Sequence, residues 1–326
     1  MTVRDSVLKT LTENKGSYIS GEELSKTLNV SRTTVWNAIK ALREAGYPIE
    51  SSTNKGYMMP PDRWEITEDS LRLSLPPKYR NNQIHIYDTL DSTNIRAKQL
   101  ALENAPHGTR VMAKQQTAGR GRLGRSFFSP REGIYLSIIV RPDFDLTRSV
   151  LVTSAAAVAV TESIEAVCGI DAGIKWVNDV YADGKKVCGI LTEGITDFET
   201  GQIESLVIGI GVNTSVKDFP NELLEIVGAV EGDYPKPVLA ASIISRTLDL
   251  MENIECRDFI TSYKEKSLVI GRNVKVFKGV YKSRPEEELE SRPAKVLDID
   301  DNGCLVVLYT DGTRESLSSG EISVRL

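Results

Sequence analysis

Histidine and cysteine are scarce in this chain. Its 326 residues hold two histidines, His85 and His107, and four cysteines, Cys168, Cys188, Cys256 and Cys304. A Ser-His-Asp triad or a histidine-based metal site would have to rest on one of those two histidines, so neither is expected. The cysteines are far apart and form no Cys-x-x-Cys pair, which argues against a zinc cluster or a disulfide framework and for four reduced thiols. Long hydrophobic runs are also lacking. The most apolar one, Val150 to Val160, is too short and too interrupted to span a bilayer. The opening MTVRDSVLKT has no apolar core of a secretory signal. A cytoplasmic protein with no membrane partner is the expectation. An excess of positive charge is missing too. Lys and Arg number 40 against 45 Asp and Glu, for a net charge of -5, so the chain as a whole has no electrostatic attraction to nucleic acid.

What is present is enough for two or three domains, with 40% hydrophobic residues to supply their cores. The spacing of Val3, Val7, Leu8 and Leu11 predicts a first helix stopped at Gly16. Ser20 with Glu23 reads as a capping box for a second helix carrying Leu24 and Leu28. Ser31 caps a third, whose buried stripe is Val35, Ile39 and Leu42 and whose end is Gly46. YPIESSTNKGYMM then reads as strand, turn, strand. That order is a winged helix-turn-helix. The third helix presents Ser31, Arg32, Thr33, Thr34, Asn37, Lys40 and Arg43, residue types that read grooves and touch phosphates, and the wing adds Lys55. Residues 1–60 hold eight Lys/Arg against six Asp/Glu, so this segment is +2. The alternative is a helical interaction module with a solvated polar face.

MMPPDRW reads as a linker, followed by a short helix from Thr67 to Leu75. A central segment to about residue 270 mixes strands (QIHIYD, RVMAK, GIYLSIIVRP, ESLVIGIGVN) with helices (STNIRAKQLALENA, the Ala-rich stretch after Ser149, and two after Pro237). IKWVNDVYADGKKVCGILTE reads as a hairpin about Asp183-Gly184. The fold class is therefore multidomain α+β with a mixed or antiparallel sheet. From Gly271 short alternating strands and an Asp311-Gly312 turn suggest a small β-barrel, interrupted by a charged loop, Lys282 to Pro293. The expected domains are 1–62, 63–270 and 271–326.

QQTAGRGRLGRSFF, Gln115 to Phe128, interleaves Gly119, Gly121 and Gly124 with Arg120, Arg122 and Arg125. It matches G-x-G-x-x-G formally, but a loop and a strand follow instead of a helix, so no dinucleotide fold results; a Walker loop is absent as well. Glycines allow backbone to approach a ligand, and arginine forks bind phosphate or carboxylate. Such a loop is expected to order on an anionic ligand; a flexible basic surface loop is the alternative. KWVND places Lys175, Asn178 and Asp179 on a strand and KKVCGI places Lys186 across the hairpin. Lysines on an apolar hairpin need an anion or a carboxylate, and one pairing with Asp179 is the plainer reading. DSTN, Asp91 to Asn94, opens a helix and can bind a small polar group or merely cap. Polar groups, several cations and no side-chain nucleophile suit the joining of a carboxylic acid to a nucleotide phosphate, by positioning and charge neutralisation.

In order, STN, QQTAGRGRLGR, KWVND, KKVCGIL and GIGVN resemble the family of bifunctional biotin–protein ligases and biotin operon repressors, over essentially the whole chain. The resemblance implies a winged helix, a ligase core of the class II synthetase/lipoate-ligase kind and an SH3-like C-terminal barrel. It implies that biotin, ATP and Mg²⁺ give biotinyl-5′-adenylate, which biotinylates a lysine of a biotin carboxyl carrier protein of acetyl-CoA carboxylase or another biotin-dependent carboxylase. The adenylate-bound form would dimerise and repress biotin genes at operator DNA. By resemblance Ser92, Thr93, Asn94, Gln116, Arg120, Gly121, Arg122 and Lys186 contact biotin. Lys186 and Arg120 are the catalytic candidates. Arg122, Arg125, Phe127, Lys175, Asn178, Asp179 and Asn213 are assigned to ATP and adenylate. No protein cluster for a metal is expected, Mg²⁺ entering with ATP. The chain departs from the family at Val177, where relatives often have proline, and at Phe127, which replaces a tryptophan able to cover adenine. An acidic insertion like Glu286 to Glu290 is not part of the family pattern. Two other readings stay open: a sensor that binds biotin or its adenylate but ligates nothing, and a lipoate-type ligase.

Overall fold

The computed structural model describes residues 2–44, 47, 49–60, 65–142, 149–196, 203–278, 291–318 and 322–325. The predicted helix stop at Gly46, the Pro61 to Trp64 part of the linker, and the acidic insertion Glu286 to Glu290 lie outside the described residues. The chain forms two compact units, Met1–Asn81 with Gly232–Ser245, and Asn82–Glu231 with Arg246–Leu326.

In the first unit α1 (Val3–Glu13) is capped by Thr2, which forms a reciprocal capping box with Asp5. α2 (Gly21–Thr27) is capped by the Ser20 side chain on Glu23 N. α3 (Arg32–Glu44) starts at Ser31, whose hydroxyl accepts from Thr34 N at 3.0 Å. Val7, Leu11, Leu24, Val35, Ile39 and Leu42 close one small core, as their helical spacing demands. β1 (Glu50–Ser52) and β2 (Gly56–Met58) form the wing, and Tyr57 pairs with Ile19 ahead of α2. α4 (Glu68–Ser74) is the predicted short helix, capped by Thr67.

The second unit is built on a seven-stranded mixed sheet of order β3-β4-β5-β9-β8-β7-β6. Its strands are β3 (Ile84–Leu90), β4 (Arg110–Gln116), β5 (Ile134–Val140), β6 (Gly173–Lys175), β7 (Asp179–Ala182), β8 (Lys185–Thr196) and β9 (Ile203–Val212). Only β3 and β4 run parallel, joined over α5 (Thr93–Leu102). α5 lays Ala97, Leu100 and Ala101 on Val111, Ile139 and Val207. α6 (Ser149–Cys168) packs on the opposite face, where Thr153 meets Thr192 at 2.9 Å. By length and composition α6 could cross a membrane, because it continues past Val160; 78% of its apolar window is buried in protein, which is how a core helix passes the same test. α7 (Lys236–Glu252) and α8 (Phe259–Glu265) are the two helices predicted after Pro237.

Three sequence expectations need correction. KWVND does not lie on one strand: Lys175 ends β6, residues 176–178 turn, and Asp179 begins β7, paired with Lys175. The hairpin about Asp183-Gly184 is therefore β7 with β8, both turn residues having positive φ (48° and 74°) as a type I′ turn requires. The C-terminal strands β10 (Asn273–Lys278), β11 (Ser291–Ile299), β12 (Leu305–Tyr309), β13 (Arg314–Leu317) and β14 (Ile322–Arg325) make an antiparallel sheet of order β13-β12-β11-β10-β14. Among the described residues β13 and β14 do not pair, so the sheet is open and the expected closed barrel is not found. These edge strands are four residues each, too short to carry a full ladder around. Ser291 to Pro293, expected in a loop, begin β11.

Candidate functional site

A cleft of about 530 Å³ opens on the second unit's sheet, on the face that carries α5. Strand alternation puts Gly189 and Leu191 of β8, Gly209 and Gly211 of β9, and Tyr135 and Ser137 of β5 on that face. The glycines hollow it out. A Cβ at Gly209 would come within 2.1 Å of Asn94 Oδ1, and one at Gly211 within 2.5 Å of the Phe127 ring.

One end of the cleft is polar and uncharged. Ser92, Thr93 and Asn94 are buried at the start of α5. Ser92 occupies the cap position but makes no side-chain cap bond, so simple capping does not explain it. Thr93 gives its N–H (2.8 Å) and hydroxyl (3.1 Å) to Gln116 Oε1, and Gln116 Nε2 donates to Ser129 Oγ at 2.9 Å.

The other end is cationic. Residues 116 to 129 form a folded flap: Gly121 N donates to Arg125 O (2.7 Å), Phe127 N to Gly119 O (2.8 Å) and Gln116 N to Ser129 O (3.1 Å). Arg122 reaches out of it to Asn178 Oδ1 at 3.1 Å, tying the flap to the 176–178 turn. Burial pulls the Arg122 guanidinium below its ordinary range, and the Asp179 charge opposes that pull. The turn itself is braced from behind, by Trp176 Nε1 on Gly303 O (3.0 Å) and by the Tyr263 hydroxyl on Val177 O (3.1 Å). Lys186 sits beside a bulge between β7 and β8, and its backbone is clamped by Ile226 O and Gly228 N. Its ammonium lies 2.6 Å from Asp179 Oδ1, so the plainer reading of the hairpin lysines holds for Lys186. It is also 6.0 Å from the centre of the Phe127 ring. Lys175 stands over Tyr181 at 5.7 Å.

The structure thus gathers Ser92, Thr93, Asn94, Gln116, Arg120, Gly121, Arg122, Arg125, Phe127, Lys175, Asn178, Asp179 and Lys186 around one cleft. Asn213 does not line it. It follows β9, buried, donating its amide to Gly228 O at 3.1 Å, while its Oδ1 has no hydrogen-bond partner among the described residues. Sequence reasoning missed Ser137, Ser129, Glu193 and Lys98, and the three floor glycines. Residues 189, 191 and 193 alternate onto one strand face, a signal that would have flagged Glu193. Among the described residues no three His, Cys, Asp or Glu side chains converge as for a metal. All four cysteines are free, and burial pushes the Cys168 thiol up to about 12.

In the first unit the outer face of α3 exposes Arg32, Thr33, Asn37 and Lys40. Trp36, unflagged in the sequence, is 54% exposed there, with Lys40 Nζ 5.7 Å from its ring. Arg32 forms an ion pair with Glu22, Arg43 Nε is tied to Ile49 O at 2.9 Å, and Lys55 lies over Tyr18. Arg43 therefore braces the wing.

Residues 86–213 match the Biotin/lipoate A/B protein ligase family, residues 3–58 an HTH domain, and residues 288–325 the Biotin protein ligase C terminal domain. Fold and site together define a protein ligase of the biotin type carrying its own helix-turn-helix. The chain is 34% identical to the bifunctional ligase/repressor BirA of Bacillus subtilis, over 98% of each chain. It is 27% identical to BirA of Escherichia coli, over 95% of this chain and 94% of that one. A structure of biotin protein ligase from Aquifex aeolicus in complex with biotin and ATP superposes with a TM-score of 0.62 at 26% identity, covering 74% of this chain and 98% of that one. This chain belongs to the family of bifunctional ligase/repressors.

Proposed function

We propose that this protein condenses biotin with ATP to biotinyl-5′-adenylate and pyrophosphate, transfers biotin to a lysine of a carboxyl carrier protein, and represses biotin genes at operator DNA with the adenylate as corepressor. The observation that carries the reading is the polarity of this cleft, uncharged at the Ser92–Asn94 end and cationic at the flap. Biotin has the matching shape: a neutral ureido head with N–H donors and a carbonyl acceptor, and a carboxylate tail.

The head is assigned to Ser92, Thr93, Asn94 and Gln116, and the tail to Arg120, Gly121, Arg122 and Lys186. A carboxylate oxygen attacks the α-phosphorus of ATP in line; the new P–O bond forms as the bond to pyrophosphate breaks. Lys186 and Arg120 neutralise charge on the phosphate oxygens as it builds, which is where a fixed cation lowers the barrier. Arg122, Arg125, Phe127, Lys175, Asn178 and Asp179 are assigned to the nucleotide. Asn213, which does not line the cleft, is kept as an adenine contact by the resemblance alone. Closing the flap keeps water from the mixed anhydride. The neutral amine of the acceptor lysine then attacks the acyl carbon, AMP leaves, and an amide remains. Magnesium is expected to accompany the triphosphate. The described residues offer it no ligand set, and no step is assigned to it.

Domains at 1–62, 63–270 and 271–326, dimerisation of the adenylate-bound form, and a cytoplasmic location are parts of the same proposal. The test is incubation with ATP, Mg²⁺, labelled biotin and an acceptor domain. Label on the acceptor lysine is expected, and lipoate should not compete. A protein that binds biotin without labelling the acceptor would be a sensor.

A further inference from the structure

The first compact unit does not end with the wing. It runs on to Asn81, past α4 and a single 3-10 turn at Pro77–Tyr79. Leu71, Leu75 and Tyr79 are buried and anchor that stretch. The next residue, Arg80, is exposed. It shares one recess of about 640 Å³ with Trp36, Lys40 and Arg43 of α3 and Tyr57 of β2. A side chain from beyond the proposed 1–62 domain thus stands beside the helix assigned to the operator.

Arg80 is held ready by its neighbours. Its Nε donates to Leu75 O at 2.7 Å. Its carbonyl accepts from Arg72 Nη1, and Arg72 is itself fixed on Glu68 Oε1 through Nε (2.9 Å) and Nη2 (2.8 Å). The Glu68 carboxylate is therefore engaged by Arg72, and Arg80 has no carboxylate partner among the described residues. Arg43 repeats the arrangement, with Nε on Ile49 O at 2.9 Å and no carboxylate partner among the described residues. Each guanidinium is oriented through Nε and keeps both terminal nitrogens to give. Lys40 has Glu44 at 3.9 Å, an exposed pair of little worth. The recess therefore gathers three cations against one loosely held carboxylate, in a chain whose net charge is -5. Like charges set together in this way repel unless an anion lies among them. An anion that can run past α3, the wing and Arg80 together is an extended one. A phosphodiester strand has that shape, and its oxygens take arginine forks.

We propose that Arg80 is a phosphate contact for duplex DNA, and that with Arg43 and Lys40 it carries the DNA-binding surface past the winged helix into the segment after the linker. This rests on the reading of α3 as the DNA helix. The test uses the full chain loaded with biotin and ATP. One probe is a mixed-sequence duplex and the other a duplex selected from a random pool by the wild-type protein. Affinity is measured against salt concentration. Arg80→Ala should weaken both duplexes on the order of tenfold, leave the ratio between them unchanged, and lower the salt slope by about 0.9, one phosphate's share. Arg80→Lys should keep the slope. Arg80→Gln, which can still donate to Leu75 O but carries no charge, should match Arg80→Ala. Tm and biotin transfer to an acceptor domain should stay put in all three.

An unchanged slope in the two neutral variants would overturn the proposal. So would an equal loss of slope in Arg80→Lys, a changed ratio between the duplexes, or a fall in Tm and biotin transfer alongside DNA binding. Tighter DNA binding by Arg80→Ala would overturn it too, because the turn would then be covering α3. A wild-type protein that binds neither duplex would instead defeat the DNA-binding reading, and this inference with it.

Discussion

Replacing Lys186 by alanine separates ground-state binding from chemistry. The Lys186 ammonium sits 2.6 Å from Asp179 Oδ1, with the side chains 28% and 25% exposed. In so partly wet a site an effective dielectric of about 20 applies, and unit charges about 4 Å apart interact by about 4 kcal/mol. Before reaction, much of that attraction is already directed at Asp179. A biotin carboxylate therefore gains only part of it, and its Kd should rise by about tenfold or less, or 1.4 kcal/mol. Charge that appears on the α-phosphate oxygens only in the transition state has no such competitor. Removing one preorganised donor there costs about 100- to 1,000-fold in rate. Single-turnover pyrophosphate release gives the rate, and calorimetric titration with biotin gives the affinity. Pairing the change with Asp179→Asn removes the carboxylate left unbalanced and should restore biotin affinity but not the rate. Equal losses in rate and affinity would refute the transition-state role.

Arg120→Gly should leak adenylate into solution, and Arg122→Gly should do so as well while also raising protease cleavage between residues 119 and 125, because the tie to Asn178 is lost; a constant level of free adenylate would count against the flap. Gly209→Ala places a methyl within 2.1 Å of Asn94 Oδ1, so it should cost about 1–3 kcal/mol of stability and displace Asn94, read as a lower Tm with weakened biotin binding. On α3, Lys40→Ala should weaken operator binding evenly across sequences and lower the salt slope by about one, whereas Asn37→Ala should relax specificity at one position. In the native protein iodoacetamide should reach exposed Cys256 first and leave buried Cys188, whose thiol is pushed up by burial, untouched until unfolding.

The helical parts of the N-terminal unit were legible because their signals are local. Ser20 and Ser31 cap where the sequence places caps, and Val35, Ile39 and Leu42 form the buried stripe that a period of 3.6 requires. Asp183-Gly184 likewise announces its own turn. KWVND was misread as one strand because nothing in five residues shows what braces a turn. Tyr263 lies 86 residues away and Gly303 lies 127 from Trp176. Trp36 drew no reading from the sequence, and its exposure shows only in the fold. Arg43, read as a groove or phosphate residue, is exposed and also gives its Nε–H to Ile49 O, a tie that the sequence does not announce.

By itself the sequence determined which chemical groups exist and in what local order: the Gly/Arg flap, the Ser-Thr-Asn helix start, the scarcity of histidine. Those follow from short-range sterics and charge, which a reader of neighbouring residues can evaluate. Tertiary structure alone decided that Lys186 pairs with Asp179, that three glycines from two strands make one floor, and that Glu193 stands behind Asn94 across 99 residues of chain. Sheet register fixed all three, and register is settled only when whole strands choose their partners.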